Sequence, residues 1–550
     1  MSGALAAREP LRVLTPFPTK QMTILALCRI CEPIAFMSIF PYVYYMIQDF
    51  GVTKHPSEIS IYAGMVTSAF ALAEFSSGLA WGRLSDRIGR KPVLLAGLSG
   101  TALSMLSFGF ATSLPVALMC RALGGLLNGN IGVLQTTVAE LVPEKEHQPR
   151  AFSLMPFVWC LGSILGPILG GALARPAISY PEIFASESLW GRYPYLLPNL
   201  VCTVIITFGV IFGVLYLEET HADKKHLYDP GLAAGRWIIT KFPQWDYKAS
   251  CITSEKDDDV QETTGLLNAD QPSNYCATTN ELAPLPIISP ISQIDNTLPT
   301  SKPAASKAFT NQIILNIIGY GILAYHTIAI DSMLPTVFST PTPHDTSSWR
   351  LPFKFVTGYG LSTKEIGIIL SVQGIFSMFA TLCLFPSIVR FMGVLPLFRT
   401  VAFIYPALYF LVPYFALLPP DYSKLGIYVL VIWKCILSTM AYPSNAIMLT
   451  NSTPSFLTLG MINGVAASTA SLSRAFSPTL SGLLFSTGEK LGYSGLPWWC
   501  NTAISIIGAV LALFMVKNDN RPDVNEKSDE EIESRINQIV PTPCSIEDEL

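Results

Sequence analysis

The sequence predicts an all-α integral membrane protein with twelve transmembrane helices in two pseudo-symmetric six-helix halves, and three observations carry that prediction. Twelve apolar runs of membrane-spanning length follow one another along the chain. Only 13% of the 550 side chains are charged, against about 25% in a soluble domain. The second half repeats residue patterns of the first. An apolar fraction of 50% separates nothing by itself, but a mean hydropathy of +0.42 shows that charge has been exchanged for apolar bulk. A soluble enzyme, a collagen-like chain, a disulfide scaffold and a largely disordered chain are excluded. The net charge of −4, with no basic patch interleaved with aromatics outside the apolar runs, offers no footprint for nucleic acid.

A bilayer core takes about 20 residues of helix, and in lipid only a helix pairs every backbone group within so short a segment. The first-half runs, spans one to six, cover residues 23–47, 60–82, 92–111, 115–139, 151–174 and 194–217. Spans seven to twelve cover 309–337, 365–388, 395–417, 425–448, 457–485 and 494–516. This divides the chain into an N-terminal tail (1–22), a first six-helix half (23–217), a linker (218–308), a second half (309–516) and a C-terminal tail (517–550). The linker is polar and Pro-rich with thirteen acidic residues, and it is expected to be largely disordered, as is the charged C-terminal tail.

Placing the N-terminus in the cytoplasm puts fifteen of the 35 Lys and Arg in short inner segments and tails and eight in outer loops. That positive-inside bias predicts cytoplasmic termini. It follows that Asn451-Ser452-Thr453, an N-glycosylation sequon by letter, stays unmodified. Residues 1–22 carry three basic residues and three prolines before any apolar core, so no cleavable signal peptide is expected. Eight of the eleven cysteines fall inside the runs, where they act as small apolar residues. The Cys28-x-x-Cys31 pair is read the same way rather than as a redox or metal site, and no metal ligand set is expected. Within the linker, Glu262 to Leu267 has the form of an acidic dileucine sorting signal, which bears on whether the protein resides in the vacuolar or the plasma membrane.

The repeat is specific. A shift of 311 residues lays Gly162, Gly166, Pro167, Gly170 and Gly171 of span five onto Ser473, Ser477, Pro478, Ser481 and Gly482 of span eleven. Small residues at i, i+4 and i+8 share one helix face and let two backbones approach. Duplicated six-helix units place a substrate site at their interface near mid-membrane. Pro167 cannot donate to residue 163 and bends its helix.

The loop after span two reads Gly82-Arg83-Leu84-Ser85-Asp86-Arg87-Ile88-Gly89-Arg90-Lys91. Its charges alone serve the positive-inside rule. Its pattern resembles the first signature of the major facilitator superfamily. Arg121-Ala-Leu-Gly124-Gly125 in span four resembles the second signature, and Gly162 to Gly171 in span five resembles the third, found in the superfamily's antiporters. Within it the chain is most similar to the drug:proton antiporter-like branch, and to fungal relatives of tetracycline-resistance and zinc-induced-facilitator-like carriers. The pointers are Leu27 to Pro33, Trp81 to Asp86 and Leu459 to Gly464.

The resemblance implies that Asp86 meets the N-terminal end of span eleven, where partial positive charge favours an anion. Arg87, Arg90 and Glu140 would complete a cluster that closes the cytoplasmic side in one state and breaks on switching. In the second half Arg390 stands where the repeat would put Asp86, so gating by charge is expected to be asymmetric.

A charge at bilayer depth costs about 2.5 to 3.5 kcal/mol on insertion scales, so each one calls for a role. The candidates are Arg29, Glu32, Glu74, Arg121, His326, Asp331, Lys434 and Arg474. Arg29 and Glu32 are spaced to pair on one helix face. Glu32, Glu74 and Asp331 are candidate proton-coupling or substrate-contact acids, because desolvation raises a carboxyl pKa toward neutrality. His326 titrates nearest to neutral pH in its free form. The resemblance makes Arg121 a proton-relay arginine; Arg474, which takes the place of Ser163 in the repeat, is a candidate fixed cation for an anionic substrate or for release of a proton from Asp331.

The expected function is secondary active transport of a small organic solute, as in drug, toxin or metabolite efflux, by alternating access and in exchange for protons. Alternatives are a uniporter or symporter, a vacuolar metal-chelate carrier, or a non-transporting sensor on the same fold. No nucleotide-binding P-loop, nucleophile elbow or H-E-x-x-H occurs, so no enzyme activity and no cofactor are expected. The expected partners are the solute, protons and the lipid bilayer, with the chain as a monomer.

Overall fold

A computed structural model of the chain describes residues 16–128, 131–142, 148–221, 223–241, 309–342, 349–452 and 456–516. The chain separates into two compact units, one of residues 1–227 and 308–550, the other of residues 228–307. In the second unit the described part is an α-helix, Pro230–Lys241, whose Lys241 ammonium lies 4.4 Å from the centre of the Trp237 ring. This short part of the linker is helical. The dileucine-like Glu262 to Leu267 and both tails beyond residues 16 and 516 lie outside the described residues.

The described parts of the larger unit's spans are mostly helical. Among the described residues, ten helices are long and apolar enough to cross a membrane. The other two spans explain themselves. Span four is divided into Leu114–Leu127 and Ile131–Leu141. Span eleven, Phe456–Leu491, is diluted by Ser, Thr and Gly. Together they make the twelve-helix fold.

Prolines set most of the breaks. Span one consists of Thr19–Arg29, Cys31–Ser38 and Val43–Asp49. Pro33 cannot donate to the Arg29 carbonyl and Pro41 cannot donate to that of Met37, so the helix parts just ahead of each. Span eight runs Thr363–Phe379, a π-turn Ala380–Leu384, then Phe385–Met392. Its wide turn takes up the bond that Pro386 cannot make to Leu382. Spans two (Ile59–Ile88), ten (Pro420–Ser452) and eleven extend well beyond their apolar runs, because polar turns at each end stay helical outside the hydrocarbon.

The repeat reappears as packing. Gly162, Gly166 and Gly170 of span five, Gln148–Leu173, press on Pro33, Ile34 and Ser38 of span one. At the matching place, Ser477 of span eleven donates to the Tyr325 carbonyl of span seven, Asn311–Ser339, at 2.6 Å. Each half has its own apolar core.

The halves meet at the ends of the spans remote from the Gly82–Lys91 loop. Gly64 lies against the Pro478 backbone, Ser60 donates to the Gly482 carbonyl at 3.0 Å, and Thr479 donates to Ser68 at 2.8 Å. Spans five and eight do the same. A Cβ on Gly374 would lie 2.8 Å from the Ser163 carbonyl, the group that Pro167 leaves without a helical donor. Ser371 donates to the Ile164 carbonyl at 3.0 Å. Toward the loop side, a Cβ added at Gly78, Gly82 or Gly464 would meet nothing within 4 Å among the described residues. Among the described residues, the two halves touch on one side and stand apart on the other.

Candidate functional site

Between the halves, the in-span charges sort into two neutral pairs and a trio. Arg29 pairs with Glu32 along span one. The other Glu32 oxygen accepts from the Asn128 amide at 2.6 Å, which ties span one to the point where span four is divided. Lys434 of span ten pairs with Asp331 of span seven. Arg474, a candidate fixed cation for an anionic substrate or for release of a proton from Asp331, stands among Tyr442, Tyr320 and Glu74, while Lys434 pairs with Asp331.

The trio is Glu74, Arg121 and Arg474. Glu74 makes no direct side-chain hydrogen bond or ion pair among the described residues. Its charged neighbours are Glu32, Arg474, Arg29 and Arg121. Arg121 is buried, with its guanidinium 4.4 Å from the Phe70 ring centre and 5.9 Å from that of Phe36, and its Nε has no hydrogen-bond partner. Desolvated cation–π contacts of this kind contribute about 2 kcal/mol. Phe36 also packs against Phe70 and Trp159, with ring centres 5.7 and 6.0 Å away. Across from them Tyr442 sits edge-on to Tyr320 and bonds Thr327 at 2.6 Å. The space between the halves is thus lined by aromatic faces around a few charges.

His326 lies elsewhere. It is buried within the second half, bonded through Nδ1 to the Tyr409 hydroxyl at 2.7 Å and set edge-on to Tyr405. Cys28 and Cys31 point at the Gly209 and Ile205 carbonyls of span six, Leu196–Tyr216, and no metal-ligand cluster occurs among the described residues.

In the loop, Arg90 is the hub. It donates to Asp86 at 2.6 Å and Ser85 at 2.7 Å, and it pairs with Glu140 at 3.0 Å. Glu140 thus joins the cluster as the resemblance implies. Asp86 pairs with Arg90; the side chains at the N-terminal end of span eleven, which the resemblance sets against Asp86, lie outside the described residues. Arg87 and Gly82 lie along the open side. Gly89, with φ +107°, turns the chain into span three, Arg90–Gly109. Lys91 donates to the Val214 carbonyl at 2.9 Å.

Sequence reasoning missed Asn128, Thr327, Tyr320 and Tyr442, polar and aromatic residues inside apolar runs that carry no charge to mark them. It also missed Glu219, the second of two adjacent acids just after span six.

Comparison with known proteins agrees with this architecture. The profile of the Major Facilitator Superfamily matches residues 25–458. The chain is 50% identical over 518 residues to the major facilitator superfamily multidrug transporter mfsB of Aspergillus fumigatus, covering 92% of this chain and 85% of that one. It is 26% identical over 510 residues to ZINC INDUCED FACILITATOR-LIKE 1 of Arabidopsis thaliana, covering 92% of each. Among solved structures it superposes on a D-xylose-proton symporter with a TM-score of 0.59 at 13% identity, over 92% of this chain and 99% of that one. With its helical halves, its three signatures and these matches, the chain is a multi-pass membrane transporter and not an enzyme, and it belongs to the major facilitator superfamily.

Proposed function

We propose that this transporter moves a small organic solute by alternating access in exchange for protons, with both termini in the cytoplasm, so that the arrangement seen here is open to the inside. The observation that carries the reading is Glu74: an acid without a direct partner among the described residues, between two halves, beside Arg121 and Arg474. Ionised, Glu74 is an acceptor for donor groups of a solute lying against Phe36, Trp159 and Tyr442. A proton on Glu74 withdraws that acceptor, so the solute leaves as the proton arrives. Glu32 and Asp331 already hold cations and serve as fixed charges. Exchange is further supported by the resemblance of Gly162 to Gly171 to the antiporter signature, and efflux by the multidrug transporter among the relatives. The protein acts as a monomer in the plasma or vacuolar membrane.

Purified protein in proteoliposomes, given an imposed pH gradient and a panel of fluorescent dyes and antifungal compounds, tests this. Movement of at least one compound against the proton gradient is expected, lost in Glu74→Gln. No gradient-driven movement of any compound overturns the exchange reading.

A further inference from the structure

We propose that Glu219 is the positioning residue of the Gly82–Lys91 loop, holding its backbone in place while the charged side chains of the loop change partners. The Glu219 carboxylate accepts four backbone N–H groups. Two belong to the first turn of span three, Arg90 at 2.8 Å and Lys91 at 3.1 Å; two belong to its own strand of chain, Thr220 at 2.9 Å and His221 at 3.0 Å. The N-terminal amides of a 20-residue helix have no helical acceptor and carry partial positive charge, so a carboxylate there is favoured on both counts. Helices are ordinarily capped from the residue just ahead of them. Here that residue is Gly89, which has no side chain, and the cap comes from 129 positions along the chain.

The second glycine of the loop fits this role. A Cβ at Gly89 would lie 2.9 Å from the Glu219 carboxyl carbon, so the absence of a side chain there makes room for the carboxylate, in addition to permitting φ +107°. Two ties flank the first. Lys91 reaches the Val214 carbonyl near the end of span six, and Thr220 donates to Glu140 at 2.7 Å. Glu140 is the acid that shares Arg90 with Asp86. Two neighbouring residues, Glu219 and Thr220, therefore hold the backbone under Arg90 and one of its two carboxylate partners. If Asp86 leaves Arg90 on switching, the loop keeps its shape because its amides are held by a group that takes no part in the exchange. The same residues stand at the start of the linker.

Hydrogen exchange on the full-length protein in nanodiscs reads the loop directly. Glu219→Gln keeps the size but turns one acceptor oxygen into a donor. It is expected to speed exchange of the Arg90 and Lys91 amides about tenfold, and Glu219→Asp, which keeps both acceptors on a shorter arm, about threefold. The peptide 97–105, deeper in span three, should not change. For whichever dye of the panel moves, Glu219→Gln is expected to cut the maximal rate with KM within about twofold, and Glu219→Asp to retain at least half the rate. Unchanged exchange at Arg90 and Lys91 in both variants overturns the proposal, as does faster exchange with an unaltered rate. Should Glu219→Gln accumulate too poorly to measure, the Asp variant decides alone through its amide exchange. The exchange arm needs no solute, so it separates failure of this proposal from failure of the proton-exchange reading.

Discussion

Lys434 and Asp331 form an ion pair between spans ten and seven in which the two ends are unequally covered: 3% of the lysine side chain is exposed and 35% of the aspartate. The cation is sealed in protein while the acid faces the space between the halves. Asp331→Asn leaves that ammonium buried without its partner, at a cost of about 3 kcal/mol, the low end of the range because the carboxylate side is partly open. Thermal unfolding in detergent should show a large drop in Tm for Asp331→Asn, largely restored in the Lys434→Met/Asp331→Asn double variant. An additive double variant would mean that the pair does not matter to stability.

Glu74→Gln is expected to keep the fold, since the acid makes no direct polar contact among the described residues. It should remove the dependence of flux on the pH gradient while leaving exchange of solute for solute. Persistence of gradient-driven flux at more than about a tenth of the parent rate would move the coupling role to another acid.

The close approach of spans five and eight is a prediction about conformation. Gly171 lies against the Thr363 and Gly367 backbones. A methyl group at Gly171 forces those helices apart, and overpacking of this kind costs about 1–3 kcal/mol. Gly171→Ala should therefore disfavour the form seen here. Labelling of a single cysteine placed at Gly82, on the open side, should slow by roughly tenfold. Equal labelling rates would show that the contact does not distinguish the two forms.

On the closed side, Glu58 and Lys490 join spans two and eleven at 2.5 Å, with half of the lysine side chain exposed. Exposed pairs contribute little and weaken with salt. Glu58→Gln should change the same labelling rate by less than about fivefold, less again at 0.5 M salt, and exchanging the two residues should restore it.

The sequon at Asn451 tests the topology. It ends span ten on the side of the Gly82–Lys91 loop, which the positive-inside count assigns to the cytoplasm. Treatment of the cell-derived protein with a glycosidase should leave its mobility unchanged; a shift abolished by Asn451→Gln would invert the topology.

Twelve spans, two halves and the three signatures were legible because each rests on local chemistry: apolar length, small residues at helical spacing, and charges that a bilayer tolerates only at its edges. The pairing of Arg29 with Glu32 was legible for the same reason, being a matter of one helix face. The sequence could also mark Glu74, Arg121, Asp331, Lys434 and Arg474 as costly and therefore worth asking about. It could not say which of them hold one another. That Lys434 takes Asp331, that Arg474 stands by Glu74, and that His326 is bonded to Tyr409 inside one half depend on how helices from distant parts of the chain are rotated about their axes. Glu219 shows the limit most plainly. One acid among thirteen in a polar segment has no local feature to distinguish it. Only the folding of span six back against span three brings its carboxylate within bonding distance of two amides 129 and 128 residues away, where an unpaired helix end and a missing Cβ leave a place for it.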